Sequence, residues 1–70
     1  MKIYQFRKFT FNVKNHEVTC DGKMMAEIAT TDSARVMQGD GLTLIFYHYF
    51  PEKAAVMKDG QFVDWARLKR

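Results

Sequence analysis

The longest apolar stretch of the sequence, GDGLTLIFYHYF at residues 39–50, alternates as a β-strand with two apolar faces would. Successive side chains of a strand point to opposite faces of the sheet. One face would carry Leu42, Leu44, Phe46, His48 and Phe50, and the other Thr43, Ile45, Tyr47 and Tyr49. Because antiparallel strands usually have one polar face, the pattern predicts either a central strand covered on both sides or an outer face that binds a partner.

Asp-Gly occurs at residues 21–22, 40–41 and 59–60, each time between strand-like segments, and predicts three hairpins. A two-residue loop at 59–60 pairs Val56 with Val63, Ala54 with Trp65 and Met57 with Phe62. In that register Trp65 belongs to the core.

Three-residue loops are expected at the other two hairpins, with the glycine in the left-handed conformation. The loop at 20–22 pairs Val18 with Met24 and His16 with Ala26, and the loop at 39–41 pairs Val36 with Leu44 and Ala34 with Phe46. The first register collects Val18, Met24, Ala26 and Ile28 on one face.

Three further segments complete the predicted fold. Residues 2–13 predict one strand, with a bulge or bend between Arg7 and Lys8 where the alternation changes parity, and Pro51 predicts a turn. Residues 31–38 fit a short helix as well as a strand, and both remain open, whereas residues 51–60 also carry helix signals but favour a strand. The fold class is all-β or β-rich α+β: a small antiparallel meander or partly closed barrel of hairpins, with one short helix near 31–38 as the variant.

Composition predicts a single domain over residues 1–70 with a basic tail at 67–70. The chain has 11 basic and 8 acidic residues, and Arg67, Lys69 and Arg70 account for the whole net charge of +3. A neutral body gives no support for a charged groove. The single cysteine, Cys20, fits a reducing compartment, and no apolar run is long enough for a membrane helix, so we expect a cytoplasmic, non-membrane protein.

The chemistry-bearing residues do not form a catalytic pattern. Cys20 lies beside Asp21, which disfavours the thiolate, and the spacing of His16, Cys20 and His48 is a weak match to a zinc site. We therefore expect a non-enzyme without cofactor or metal. Tyr47, Tyr49 and Trp65 could form a cage for a cationic side chain, but ordinary packing is favoured.

Two functions follow as hypotheses. The first is a small protein-binding module, an inhibitor or adaptor of the kind that phages and mobile elements encode, with contacts through Tyr47, Tyr49, Arg67, Lys69 and Arg70. The alternative is a small-barrel protein that binds single-stranded nucleic acid, with phosphate contacts from Arg7, Lys8, Lys14 and Lys23. Self-association into a homodimer with a continuous sheet is compatible with either hypothesis.

Overall fold

The computed structural model describes residues 1–69 and shows an all-β fold, in which nine antiparallel strands form one nearly closed, barrel-like sheet. The strands are β1 (Lys2–Phe6), β2 (Phe9–Lys14), β3 (Glu17–Cys20), β4 (Lys23–Met24), β5 (Ala26–Thr30), β6 (Ala34–Gly39), β7 (Leu42–Tyr47), β8 (Lys53–Lys58) and β9 (Gln61–Leu68). Their order in the sheet is β4-β3-β2-β1-β9-β8-β7-β6-β5. The predicted small antiparallel meander or partly closed barrel is confirmed.

No helix forms within residues 1–69, so the helical alternative for residues 31–38 is wrong. The polar residues that resemble a helix cap instead close the β5–β6 turn. The Thr31 hydroxyl oxygen accepts hydrogen bonds from the backbone N–H groups of Ser33 and Ala34. Local side-chain bonds of this kind serve turns as readily as helix starts. The strand favoured within residues 51–60 is confirmed as β8.

All three Asp-Gly pairs form hairpins, but with two-residue loops throughout. Asp40 and Gly41 have φ values of 52° and 76°, and the other two pairs are similar, as in type I′ turns. Since aspartate tolerates the left-handed conformation, no third loop residue is needed. The observed partners are Cys20 with Lys23 and Gly39 with Leu42. The predicted pairs Val18–Met24, His16–Ala26, Val36–Leu44 and Ala34–Phe46 are therefore wrong.

The predicted first strand is in fact a hairpin. Residues 7 and 8 form a tight turn between Phe6 and Phe9, which face each other across β1 and β2. Arg7 adopts a φ of 53°, which permits this reversal. The change of parity that we assigned to a bulge is thus the turn itself.

The β8–β9 hairpin contains an extra residue, Val63. Met57 pairs with Phe62 as predicted, but the register then shifts, and Ala55 pairs with Trp65. A single inserted residue exchanges the two faces for every later position of the strand. The predicted pairs Val56–Val63 and Ala54–Trp65 are therefore wrong, and Trp65 lies on the outer face.

The inner face of the curled sheet forms the core. Its most completely buried large side chains are Phe11, Leu44, Val18 and Val56. Within residues 1–69, no polar or charged residue is buried. The core is therefore stabilised mainly by the burial of apolar surface.

The sheet curls shut at Met25. This residue separates β4, which pairs with β3, from β5, which pairs with β6, so one bent segment reaches both ends of the sheet. The Met25 N–H donates to the Val18 carbonyl at 2.9 Å. The side chain of Met25 packs closely over Gly39, where an added Cβ would lie 3.0 Å from its Cγ.

The Arg35 side chain on β6 bridges the seam at the end of the barrel that carries the β2–β3 turn. Its guanidinium donates to the His16 carbonyl of the β2–β3 turn and to the Glu27 carboxylate on β5. A register shift in β5 between Glu27 and Ala29 accompanies this contact. The hydrogen bond from Arg35, followed by one from Thr30, lowers the pKa of Glu27 below its ordinary value of 4.5.

We expect Glu27→Gln to reduce stability at neutral pH and to reduce it less as the pH falls. The lowered folded-state pKa means that the ionised carboxylate stabilises the fold above the ordinary glutamate pKa, and that this contribution disappears as pH falls through the folded-state pKa. Urea denaturation of both proteins between about pH 7 and pH 3 tests this expectation. In an Arg35→Gln background the Glu27 substitution should have little effect; an equal effect in both backgrounds would contradict the assignment.

We expect Gly41→Ala to destabilise the fold by about 1–2 kcal/mol, because an L-residue is strained in the left-handed conformation. The space around Gly41 is open, with no atom within 4 Å of an added Cβ, so the effect isolates the backbone. The matched change Asp40→Gly should shift stability by less than about 0.5 kcal/mol. Equilibrium denaturation measures both, and equal stability of Gly41→Ala and the parent would refute the turn assignment.

Candidate functional site

An apolar row crosses the outside of the sheet from β6 to β9. Val36 pairs with Ile45, Ile45 with Ala55, and Ala55 with Trp65, so the four side chains share one face. Ala55 is only 3% exposed but lies outside the inner core cluster, because its neighbours on the outer face cover it. This row is where a barrel of this size would be expected to carry polar side chains.

Three aromatic side chains surround the end of this row. The Trp65 ring lies 5.3 Å from that of Phe62, edge to face, and 6.5 Å from that of Tyr47. Phe62 is 52% exposed, whereas Tyr47 and Trp65 are half-buried. Together with Met57, which pairs with Phe62, these residues form what we call the outer aromatic face: Val36, Ile45, Tyr47, Ala55, Met57, Phe62 and Trp65.

The outside of β1–β3 is different in character. Gln5 pairs with Thr10, and Asn12 pairs with Thr19, so the outward positions are mostly polar. Ile3 is the apolar side chain among them. The two halves of the barrel surface therefore differ, and only one resembles an interaction surface.

The apolar stretch at residues 39–50 does not continue as a strand to residue 50. β7 ends at Tyr47, and His48 lies exposed in the following turn, where its Nδ1 atom is 2.9 Å from the Asp32 carbonyl oxygen. The expectation that His48, Tyr49 and Phe50 continue the alternation is wrong, because Pro51 and the turn before β8 interrupt it. Tyr49 is 76% exposed.

This turn forms one wall of a groove at the end of the outer aromatic face. The groove has a volume of about 670 Å³, and we call it the end groove; its lining residues are Tyr49, Phe50, Pro51, Glu52, Lys53, Arg67 and Leu68. It brings together Tyr49 and Arg67, two of the predicted contact residues. Tyr47 lies on the adjoining outer aromatic face.

Hydrogen bonds to the main-chain carbonyl groups of Pro51 and Glu52 hold the wall of the end groove in place. The buried Tyr4 hydroxyl donates to the Pro51 carbonyl at 2.8 Å, and burial raises the pKa of this phenol, which therefore remains a donor. The Leu68 N–H donates to the Glu52 carbonyl at 2.8 Å. These hydrogen bonds fix the shape of the groove.

The ammonium group of Lys53 lies on the aromatic rings of this region. Its Nζ atom is 4.3 Å from the centre of the Trp65 ring and 5.9 Å from that of Phe50. A cation from the chain itself therefore already uses the indole face that a cage for a foreign cation would need.

The remaining basic residues are dispersed. Arg7, Lys8 and Lys23 lie at the end of the barrel that carries the Asp-Gly turns, and Lys14 lies at the opposite end. Arg67 lies within β9, and the Lys69 N–H donates to the Ile3 carbonyl at 2.7 Å, which continues the β1–β9 contact. Arg70, also predicted as a contact residue, lies outside the described residues.

The remaining candidates for chemistry are Cys20 and the two histidines. Cys20 is buried, and this burial, then the nearby Asp21 and Asp40 carboxylates, raises the pKa of its thiol. His16 is exposed in the β2–β3 turn. Within residues 1–69, no three His, Cys, Asp or Glu side chains lie together as metal ligands would.

Sequence analysis missed Phe62 and Lys53 as site residues, and it considered Trp65 only for a cation cage before assigning it to the core. A usable signal was present: residues 65 and 67 share a face of β9, and Arg67 must point to solvent, so Trp65 must point outward as well. The predicted register contained no bulge in this hairpin, so it placed Trp65 inside and hid this parity.

Comparisons with known proteins give no further assignment. No protein-family model matches the chain, no curated protein matches it, and no solved structure matches it. In the part of the chain that the structure describes, no helix has the length and apolar character to cross a membrane.

Proposed function

We propose that this protein is a non-enzymatic binding module whose outer aromatic face occupies a surface of a larger partner protein. The observation that carries this proposal is the apolar row Val36–Ile45–Ala55–Trp65 on the outside of the barrel. The core is already enclosed on the inner face, so the fold does not need this row for its interior. Contiguous apolar surface of this kind marks interaction sites in soluble proteins.

The composition of the face supports the same conclusion. Trp, Tyr and Arg dominate binding energy at protein interfaces, and Trp65, Tyr47 and Arg67 adjoin here with Tyr49 at the rim. An inhibitor or adaptor of cytoplasmic targets, of the type that mobile elements encode, acts in this way by covering a surface without chemistry of its own.

We expect Phe62→Ser to abolish most partner capture without unfolding the protein, since the ring is half exposed. The measurement is affinity capture from the native host with quantitative mass spectrometry, followed by a titration with the purified partner. A loss of at least about tenfold in affinity corresponds to about 1.4 kcal/mol, the scale of an interface anchor. Tyr47→Ala/Tyr49→Ala should show a similar loss.

The matched control is Asn12→Ser, on the polar outer half of the barrel. It should capture the partner as well as the parent does. Equal capture by Phe62→Ser, Tyr47→Ala/Tyr49→Ala and the control, with all of them folded, would rule out the outer aromatic face as the binding surface.

A second candidate function is binding of single-stranded nucleic acid, and the position of Lys53 and Arg67 beside Trp65 favours it. If it holds, a fluorescent oligothymidylate binds with an affinity that falls steeply as salt rises, and Trp65→Ala weakens it. Fluorescence anisotropy at low and at physiological salt checks this expectation. No binding at low salt would eliminate this candidate.

A further inference from the structure

Two cations face each other at the edge of the proposed interface. Lys53 on β8 and Arg67 on β9 are direct cross-strand partners, on the same outer face as Trp65. Like charges at directly opposed positions destabilise a sheet. Such a pair fits a site in which an anionic group of a ligand offsets the repulsion between Lys53 and Arg67.

The charged lining of the end groove supports this interpretation. Among residues 1–69, the charged residues that line the groove are Lys53, Arg67 and Glu52, so cations outnumber carboxylates in this described part. The Lys53 ammonium group lies over the rings of Trp65 and Phe50. The adjacent surface is aliphatic as well as aromatic, through Ile45 and Ala55.

We propose that the end groove binds a carboxylate side chain of the partner protein, so that the partner contributes an acidic segment with an apolar side chain beside it. This inference rests on the proposed function and adds the chemistry of the partner. The Arg67 guanidinium suits a carboxylate geometrically, because its planar fork can donate two hydrogen bonds. Neighbouring apolar side chains would contact the outer aromatic face.

A protein segment suits this surface better than a nucleic-acid strand does. The aliphatic row from Val36 to Ala55 cannot stack bases, and Arg7, Lys8 and Lys23 lie at the far end of the barrel rather than along the face. Among the described cations, Lys53 and Arg67 lie together at the end groove, so a strand crossing the outer aromatic face would not follow a line of positive charge.

The test is a fluorescence titration of the full chain, in which Trp65 is the only tryptophan and lies beside the groove. The probes are a blocked five-residue peptide with two glutamates around a phenylalanine and leucine at both ends, and its counterpart with glutamines. At low salt, we expect the glutamate peptide to bind at least about tenfold more tightly than the glutamine peptide. The preference should shrink as salt rises.

Arg67→Gln should remove most of this preference, and Lys58→Gln, a cation on the same strand as Lys53 but away from the groove, should leave it intact. Arg67→Gln should also be at least as stable to urea as the parent, because it relieves the like-charge pair. Loss of both binding and stability in Arg67→Gln would indicate a structural role and overturn the proposal.

Several results would contradict the inference: no binding of either peptide, equal binding of both, or a preference that survives in Arg67→Gln. Tighter binding of oligothymidylate than of the glutamate peptide, with competition between them, would assign the site to nucleic acid instead. If Phe62→Ser loses the captured partner while the peptides show no charge preference, the acidic segment is wrong and the proposed function stands. If Phe62→Ser still captures the partner, the proposed function fails whatever the peptides show.

Discussion

Closure of the sheet around its inner face is the constraint on which the rest of this structure depends. A chain of this length has little apolar surface to bury, and a curled sheet can enclose only one of its faces. Met25 makes the closure by joining the segments that pair with β3 and β6, and its side chain packs so closely over Gly39 that a side chain at position 39 would have to displace it slightly. Once the inner face is sealed, apolar residues on the outer face lie outside the core and need a separate explanation.

The extra residue in β9 decides which side chains belong to which face. Without the bulge at Val63, continued regular pairing from the Asp59-Gly60 turn would place Trp65 opposite Ala54, inside a barrel whose centre is already filled by residues such as Leu44 and Val56. With it, the small side chain of Ala66 enters the core and the indole moves outside. A bulge that redirects a side chain is typical of functional edges and sites. Here one residue creates both a core that fits and an aromatic surface.

The sequence predicted the turn positions well and the registers poorly, and the reason is physical. Asp-Gly is a strong local signal, and all three pairs form turns. Loop length is a weaker signal, because aspartate can take the left-handed conformation that we assigned to glycine alone, and an error of one residue exchanges inside and outside. The two hairpins predicted with three-residue loops therefore had the wrong partners. Trp65 was misassigned to the core for another reason: its hairpin has the predicted loop length, but the bulge at Val63 shifts the register. The bulge at Val63 and the hairpin at Arg7 depend on how the whole sheet packs, which no local pattern contains.

Apolar side chains are exposed at the seam between β4 and β5 as well as on the outer aromatic face, but the two places are protected in different ways. Edge strands invite pairing with other chains, and natural proteins blunt them with bulges and charges. The free edge of β5 shows both devices, since the register shifts between Glu27 and Ala29 and Glu27 is paired with Arg35. β7, which lies in the most apolar stretch of the sequence, is hydrogen-bonded on both sides, to β6 and to β8. It therefore has no free edge with which to extend the sheet into a second molecule of this protein. The seam nevertheless leaves the side chains of Met24 and Ile28 more than half exposed, whereas on the outer aromatic face only Phe62 is exposed to that degree and the other six side chains are shielded by their neighbours. The ring of Phe62 is therefore the part of this face most open to the contact proposed above.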